Sequence, residues 1–109
     1  MEELTLLSVP AACCSLEISG EERDKLVKMF KALGNPTRFD IMQFLVTHPG
    51  CITNDLVEYL PIAQATVSQH LAVLRQAGWI EGTIAGPATS YCLHADNIAW
   101  FRTKVNAIF

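Results

Sequence analysis

The spacing of apolar residues divides the first half of the chain into amphipathic helices. Apolar side chains recur at i, i+4 and i+7 within residues 21–33, and a second apolar face runs through residues 37–47. Pro36 suits the first turn of the second helix, and His48-Pro49-Gly50 ends it. We therefore predict two helices joined by the short turn at residues 34–36.

Residues 53–78 carry the pattern of two further helices joined by a turn. A short helix starts at Thr53, residues 60–63 interrupt it, and the next helix continues to Gly78. Within this last helix Val67, Leu71 and Leu74 form one apolar face, which must pack inward. Helix, turn and helix in this order predict a helix-turn-helix.

The face of that helix opposite the apolar residues carries side chains suited to DNA. No Asp or Glu occurs in residues 59–80, so this is the least acidic stretch of an acidic chain. Short and medium polar side chains supply the donors and acceptors that contact base edges in a major groove. We predict base or phosphate contacts from Gln64, Thr66, Ser68, Gln69 and His70, and a supporting backbone contact from Arg75.

Two β-prone segments and a final helix complete the chain. Residues 79–85 and 89–93 are rich in branched and aromatic residues, and Gly86-Pro87 separates them as in a hairpin. Asp96-Asn97 is expected to cap a last helix that reaches Phe109 and carries a continuous apolar stripe. The fold class is therefore mainly α with a β-hairpin wing, a winged helix-turn-helix ordered α-α-α-α-β-β-α. Residues 1–20 are interpreted as an N-terminal arm and residues 21–109 as the DNA-binding and dimerisation domain.

Composition restricts the class of protein without changing the fold prediction. The chain has 109 residues, 50% of them hydrophobic and 17% charged, which is typical of one globular domain. Its net charge of −3 weighs against nucleic-acid binding, but several of its acids cluster near the start of the chain. No apolar run is long enough to span a membrane, and acids stand where a secretion signal carries Lys or Arg. We expect a cytoplasmic location.

The four cysteines are expected to be thiols in that compartment. Cys13 and Cys14 place two soft thiolates side by side in the arm, and Cys51 lies in a turn where we expect it to be exposed. Three sulfurs suit As(III) or Sb(III), whose lone pair fills the remaining position. Zinc or cadmium would need a fourth ligand, which Cys92, a His or water could supply. The alternative interpretation is that Cys51 is a small buried hydrophobe and that the pair is incidental; for Cys92 a structural role is favoured.

Three segments resemble the ArsR/SmtB family of metal-responsive repressors: NPTRFDIMQFL, TNDLVEYL and QATVSQHLAVLRQAGWIEG. The resemblance implies a homodimer, built by the first and last helices, that leaves operator DNA when a metal or metalloid binds. Some arsenic sensors of the family carry a vicinal cysteine pair in the arm and a third cysteine ahead of the recognition motif. Cys13, Cys14 and Cys51 match that pattern, so our hypothesis is a non-enzymatic, As(III)- or Sb(III)-responsive repressor without an organic cofactor.

Some departures from the family pattern keep alternatives open. Residues 56–60 lack the Cys-x-Cys of the commonest family sites, the last helix lacks the His of zinc sensors, and residues 77–101 contain no Lys or Arg. His94 and His48 are expected at the surface. The alternatives are a repressor that responds to Cd(II), Pb(II) or thiol oxidation, a small thiol enzyme, and a winged helix that binds protein instead of DNA.

Overall fold

A computed structural model describes residues 18–85 and 88–109. Within these residues the chain forms five helices and three short strands. The helices are α1 (Gly20–Leu33), α2 (Pro36–Thr47), α3 (Thr53–Tyr59), α4 (Gln64–Ala77) and α5 (Ala95–Ile108). The strands are β1 (Cys51–Ile52), β2 (Ile80–Ala85) and β3 (Ala88–Leu93). The predicted winged helix-turn-helix is confirmed, with α3 and α4 as its two helices and β2–β3 as the wing.

The sheet has one strand more than the sequence pattern predicts. Its order is β1-β3-β2 with both pairs antiparallel, so β3 is central and the wing is joined to the segment before α3. Cys51 pairs with Tyr91, and the amide of Gly50 donates to the Tyr91 carbonyl over 2.8 Å. A two-residue strand has almost no periodicity of its own, so only its pairing partner identifies it.

The apolar face of α4 forms the centre of the core, as predicted. Val67, Leu71 and Leu74 are at most 1% exposed and belong to a core cluster to which every other helix contributes residues or packs. At the end of α4, Gly78 adopts φ +95°, the left-handed conformation that ends a helix and favours glycine. The side chain of Asn97 donates to the Gly78 carbonyl over 3.0 Å and so ties the start of α5 to this turn.

Helix α5 begins differently from the prediction. It starts at Ala95, and the N-cap is His94, whose Nδ1 accepts from the Asn97 amide over 3.2 Å. The expected Asp96-Asn97 cap is therefore wrong, because the imidazole of His94, which is half-buried, supplies the capping acceptor.

The apolar stripe of α5 packs only partly against its own domain. Phe101 contacts Phe30 of α1 and Trp79, with ring centroids 5.0 and 4.8 Å apart, yet no residue of α5 is fully buried. Phe30 stays 44% exposed and Phe109 92% exposed, so apolar surface on α1 and α5 remains open in the single chain. In the described part of the chain, no helix combines the length and apolar character needed to cross a membrane.

Candidate nucleic-acid interface and thiol site

The predicted DNA-contacting residues occupy two different positions around α4. Gln64, Ser68 and Gln69 are exposed on the side opposite the core, and Arg75 is exposed in the last turn. Thr66 and His70 are half-buried on the flank of the helix that lies nearer α2. The structure therefore places all six on one helix, with four of them exposed and two half-buried.

His70 is held by an arginine that is not among the predicted DNA-contacting residues. Nη1 of Arg38, in the first turn of α2, lies 3.2 Å from Nδ1 of His70, and Nε of Arg38 donates to the Ala32 carbonyl over 2.7 Å. Burial and then the nearby Arg38 charge lower the pKa of His70 from 6.5. The imidazole is therefore neutral at physiological pH. Because Arg38 and His70 are 32 residues apart, no local pattern could have paired them.

The described part of the wing carries hydroxyl side chains but no Lys or Arg, and it exposes Ile84. Thr83 is exposed, Thr89 and Ser90 are half-buried, and the Ser90 hydroxyl donates to the Thr83 carbonyl over 3.3 Å. Neutral hydroxyls are the groups that this part of the wing offers to a phosphate. Residues 86 and 87, which connect β2 to β3 in the sequence, lie outside the described residues.

Cys51 is not the exposed turn residue that we expected. Its side chain is 6% exposed and belongs to the hydrophobic core, because β1 draws this segment onto the sheet. Burial, followed by the negative charge of Asp55, raises the pKa of the Cys51 thiol to about 11. The group is therefore a protonated thiol at neutral pH, and a ligand that takes it as a thiolate must displace its proton.

A surface cavity of about 650 Å³ lies beside this buried thiol. Cys51 lines this cavity together with aromatic side chains and a carboxylate: Phe44, His48, Tyr59 and Asp55. The rings of Phe44 and His48 are stacked, with centroids 4.0 Å apart. The Asp55 carboxylate also accepts from the Ile52 amide over 2.9 Å, which fixes the start of α3. A reagent in this cavity would contact Cys51 and the first helix of the helix-turn-helix together.

The other cysteines stand apart from Cys51 in different ways. Cys92 follows Tyr91, the partner of Cys51, so its side chain lies on the opposite face of the sheet and cannot join Cys51 in one site of the same chain. Cys13 and Cys14 lie outside the described residues. Within residues 18–85 and 88–109, no three His, Cys, Asp or Glu side chains are grouped to hold a metal ion.

Comparison with known proteins identifies the family. Residues 35–81 match the model of the bacterial regulatory proteins of the arsR family. The transcriptional repressor SdpR of Bacillus subtilis is 32% identical, and the alignment covers 72% of this chain and 90% of SdpR. This chain belongs to the ArsR family. A probable mercury resistance operon repressor of Streptomyces lividans is 30% identical, over 83% of this chain and 86% of that protein. The ArsR-family chain is thus a transcriptional repressor and not the thiol enzyme considered above.

Solved structures support the same fold. An ArsR-like regulator from Rhodococcus sp. RHA1 has a TM-score of 0.71 at 22% identity, over 79% of this chain and 80% of the other. A possible transcriptional regulator for arsenical resistance has a TM-score of 0.64 at 28% identity, with coverages of 73% and 81%. The homodimeric winged helix-turn-helix domain Mb0332 of Mycobacterium bovis has a TM-score of 0.65 at 18% identity, with coverages of 85% and 89%.

Proposed function

We propose that this ArsR-family repressor is a cytoplasmic homodimer that binds operator DNA and dissociates when As(III) or Sb(III) binds Cys13, Cys14 and Cys51. The observation that carries the proposal is the position of Cys51. Its thiol lies beside a cavity, on a strand paired with the wing, immediately before the helix-turn-helix. A ligand at this thiol would therefore contact the elements that hold the DNA-binding surface.

The exposed side of α4 is the proposed DNA-binding surface. Gln64, Ser68 and Gln69 would enter a major groove, Thr66 and His70 would contact bases or phosphates from the flank, and Arg75 would contact the backbone. Two copies of α4 would occupy successive major grooves of a palindromic operator, about one helical turn apart. Because residues 77–101 contain no Lys or Arg, we expect few phosphate contacts from the wing and a shallow dependence of affinity on salt.

The open apolar surface of α1 and α5 is the proposed dimer interface. Phe30 and Phe109 are exposed in the single chain, and α5 has no fully buried residue although its stripe is continuous. Covering such a surface with a second copy removes apolar area from water, which stabilises the dimer. Mb0332, which has the same fold, is described as homodimeric, and this supports a dimer.

The proton balance at Cys51 supports a metalloid as the inducer. Neutral arsenous acid, As(OH)₃, exchanges three As–O bonds for three As–S bonds, and the three thiol protons leave with the three hydroxides as water. A divalent cation instead releases each displaced proton into solution, which is unfavourable for a thiol whose pKa is about 11. A protonated thiol is also a slow target for oxidation, which disfavours a thiol-redox signal.

A soft divalent cation is the second candidate inducer, because Asp55 and Glu58 line the cavity beside Cys51. Two carboxylates attract a cation and do nothing for neutral arsenous acid. The S. lividans relative is described as a probable mercury resistance repressor, so Hg(II) joins Cd(II) and Pb(II) among the cations to test.

Operator release by wild-type protein and by cysteine variants tests the proposal. Fluorescence anisotropy would follow a labelled duplex taken from upstream of the gene while arsenite, antimonite, Cd(II), Pb(II) or Hg(II) is added. We expect Cys51→Ser to bind this DNA within about threefold of wild type and to lose release by arsenite. Cys92→Ser, the matched control on the other face of the sheet, should release normally. Normal release of Cys51→Ser would refute the thiol site, and absence of DNA binding by wild type would refute the repressor surface.

A further inference from the structure

We infer that Arg38 is a positioning residue for DNA recognition, acting through His70 and not only by its own charge. This inference rests on the proposed role of His70 at the DNA interface. Arg38 belongs to α2, whereas His70 belongs to the proposed recognition helix α4, and the contact between Nη1 and Nδ1 of 3.2 Å joins the two helices.

Arg38 is itself held in place by two further hydrogen bonds. Its Nε donates to the Ala32 carbonyl over 2.7 Å at the end of α1, and its backbone amide donates to the Asn35 side chain over 3.1 Å. The guanidinium is a planar group with fixed donor directions. With Nε fixed on Ala32, the direction in which Nη1 meets His70 is also fixed.

The contact determines which nitrogen of His70 carries the proton. Arginine can only donate, so Nδ1 of His70 must accept and be unprotonated. The proton of the neutral imidazole then resides on Nε2, at the far side of the ring. Among the contacts of the described residues, Nε2 has no protein partner. His70 is therefore presented as a hydrogen-bond donor.

A donor at Nε2 selects a particular class of partner on DNA. It fits a phosphate oxygen or the acceptors of the major-groove edge, which are N7 and O6 of guanine, N7 of adenine and O4 of thymine. It does not fit the amino groups of cytosine or adenine. Without Arg38, the imidazole could carry the proton on either nitrogen and lose this selectivity.

Two substitutions of His70 separate the donor from the acceptor. In His70→Gln the side-chain amide donates near the position of Nε2 without depending on Arg38. In His70→Asn a carbonyl oxygen near the position of Nδ1 still accepts from Arg38, but the donor at Nε2 is lost. We expect His70→Asn to lose operator affinity about five- to tenfold, and His70→Gln, which keeps the donor, to lose clearly less.

The role of Arg38 is tested by removing it in both backgrounds. In the wild type, Arg38→Gln should weaken operator binding about five- to tenfold. In the His70→Gln protein, the same substitution should weaken binding only by the effect of losing one positive charge. Lys31→Gln supplies that reference, because Lys31 lines the same groove as Arg38 and its substitution also removes one positive charge. Equal losses from Arg38→Gln in the two backgrounds would overturn the inference.

Nuclear magnetic resonance of the histidine nitrogens gives a readout that needs no DNA. Wild-type His70 should show the Nε2-protonated form, and Arg38→Gln should show a mixture of the two tautomers while circular dichroism confirms the fold. An unchanged tautomer in Arg38→Gln would overturn the positioning role alone. If wild type and all variants fail to bind the duplex, the proposed DNA-binding surface is refuted instead.

Discussion

The pH dependence of operator release distinguishes the two classes of inducer. The perturbation is a change of pH from about 8.5 to about 6.5, which lies wholly below the Cys51 pKa of about 11. In this range the thiolate fraction of Cys51 falls tenfold per pH unit, and at pH 7.5 it is on the order of one in a few thousand. The thiol is therefore almost fully protonated throughout the experiment.

A divalent cation must compete with those protons. For Cd(II), Hg(II) or Pb(II) bound through Cys51, the concentration needed for half release should rise about a hundredfold between pH 8.5 and 6.5 from this thiol alone. Arsenous acid supplies one hydroxide for each displaced proton, so no net proton is released. Its half-release concentration should change less than about threefold over the same range.

The assay is the anisotropy titration at three pH values. At each pH, the half-release concentration is compared with the operator affinity of the same protein without inducer. That reference removes any effect of pH on DNA binding itself, including titration of His70. Arsenite release that weakens about a hundredfold at low pH would refute the exchange of three hydroxides for three thiols. Release by Cd(II) that is independent of pH would show that Cys51 is not a ligand of the cation.

Three further predictions concern stability, each measured by urea unfolding followed by circular dichroism. Gly78→Ala should lower the free energy of unfolding by about 2–3 kcal/mol, because an L-residue is strained at φ +95° and its Cβ would lie 2.7 Å from Nδ2 of Asn97; an unchanged midpoint would contradict this. Trp79→Phe should cost about 1–3 kcal/mol, because the buried Nε1 donates to the Met29 carbonyl over 2.7 Å, and equal stability would show that this bond is dispensable. Because the pKa of His70 is lowered in the folded protein, the unfolded chain protonates this imidazole first as the pH falls. The contribution of His70 to the free energy of unfolding should therefore be complete above about pH 6.5 and decrease as the pH drops towards the folded-state pKa. That component should vanish in His70→Gln, and an identical acid loss in this variant would contradict the assignment.

Most elements of the fold could be predicted from sequence because they have a local signal. The i, i+4, i+7 pattern of Val67, Leu71 and Leu74 identifies the buried face of α4, and Gly78 marks its end. The sequence predicts the cap of α5 at Asp96-Asn97, because Asp and Asn are common N-cap residues. The N-cap is instead His94, which is an unusual residue at this position. Strand β1 is too short to have a pattern, and only its pairing with β3 reveals it.

The candidate site was less predictable because its environment comes from distant parts of the chain. The sequence places Cys51 in a turn after Pro49-Gly50, which is typical of an exposed residue. Pairing with Tyr91, 40 positions later, buries the thiol and raises its pKa. The effect of Arg38 on His70 arises in the same way, since the two side chains meet only when α2 packs on α4.

Helix α2 connects the contact between Arg38 and His70 with the cavity beside Cys51. Its first turn carries Arg38, which holds His70, and its last turn carries Phe44, whose ring stacks on His48 beside the cavity of Cys51. A helix of 12 residues is about 18 Å long and moves as a unit, so a ligand that shifts its last turn also shifts its first. A hundredfold loss of operator affinity requires about 2.7 kcal/mol of coupling. Loss of the hydrogen bond from Arg38 to His70 in both protomers, together with one contact from each His70 to DNA, is of that order.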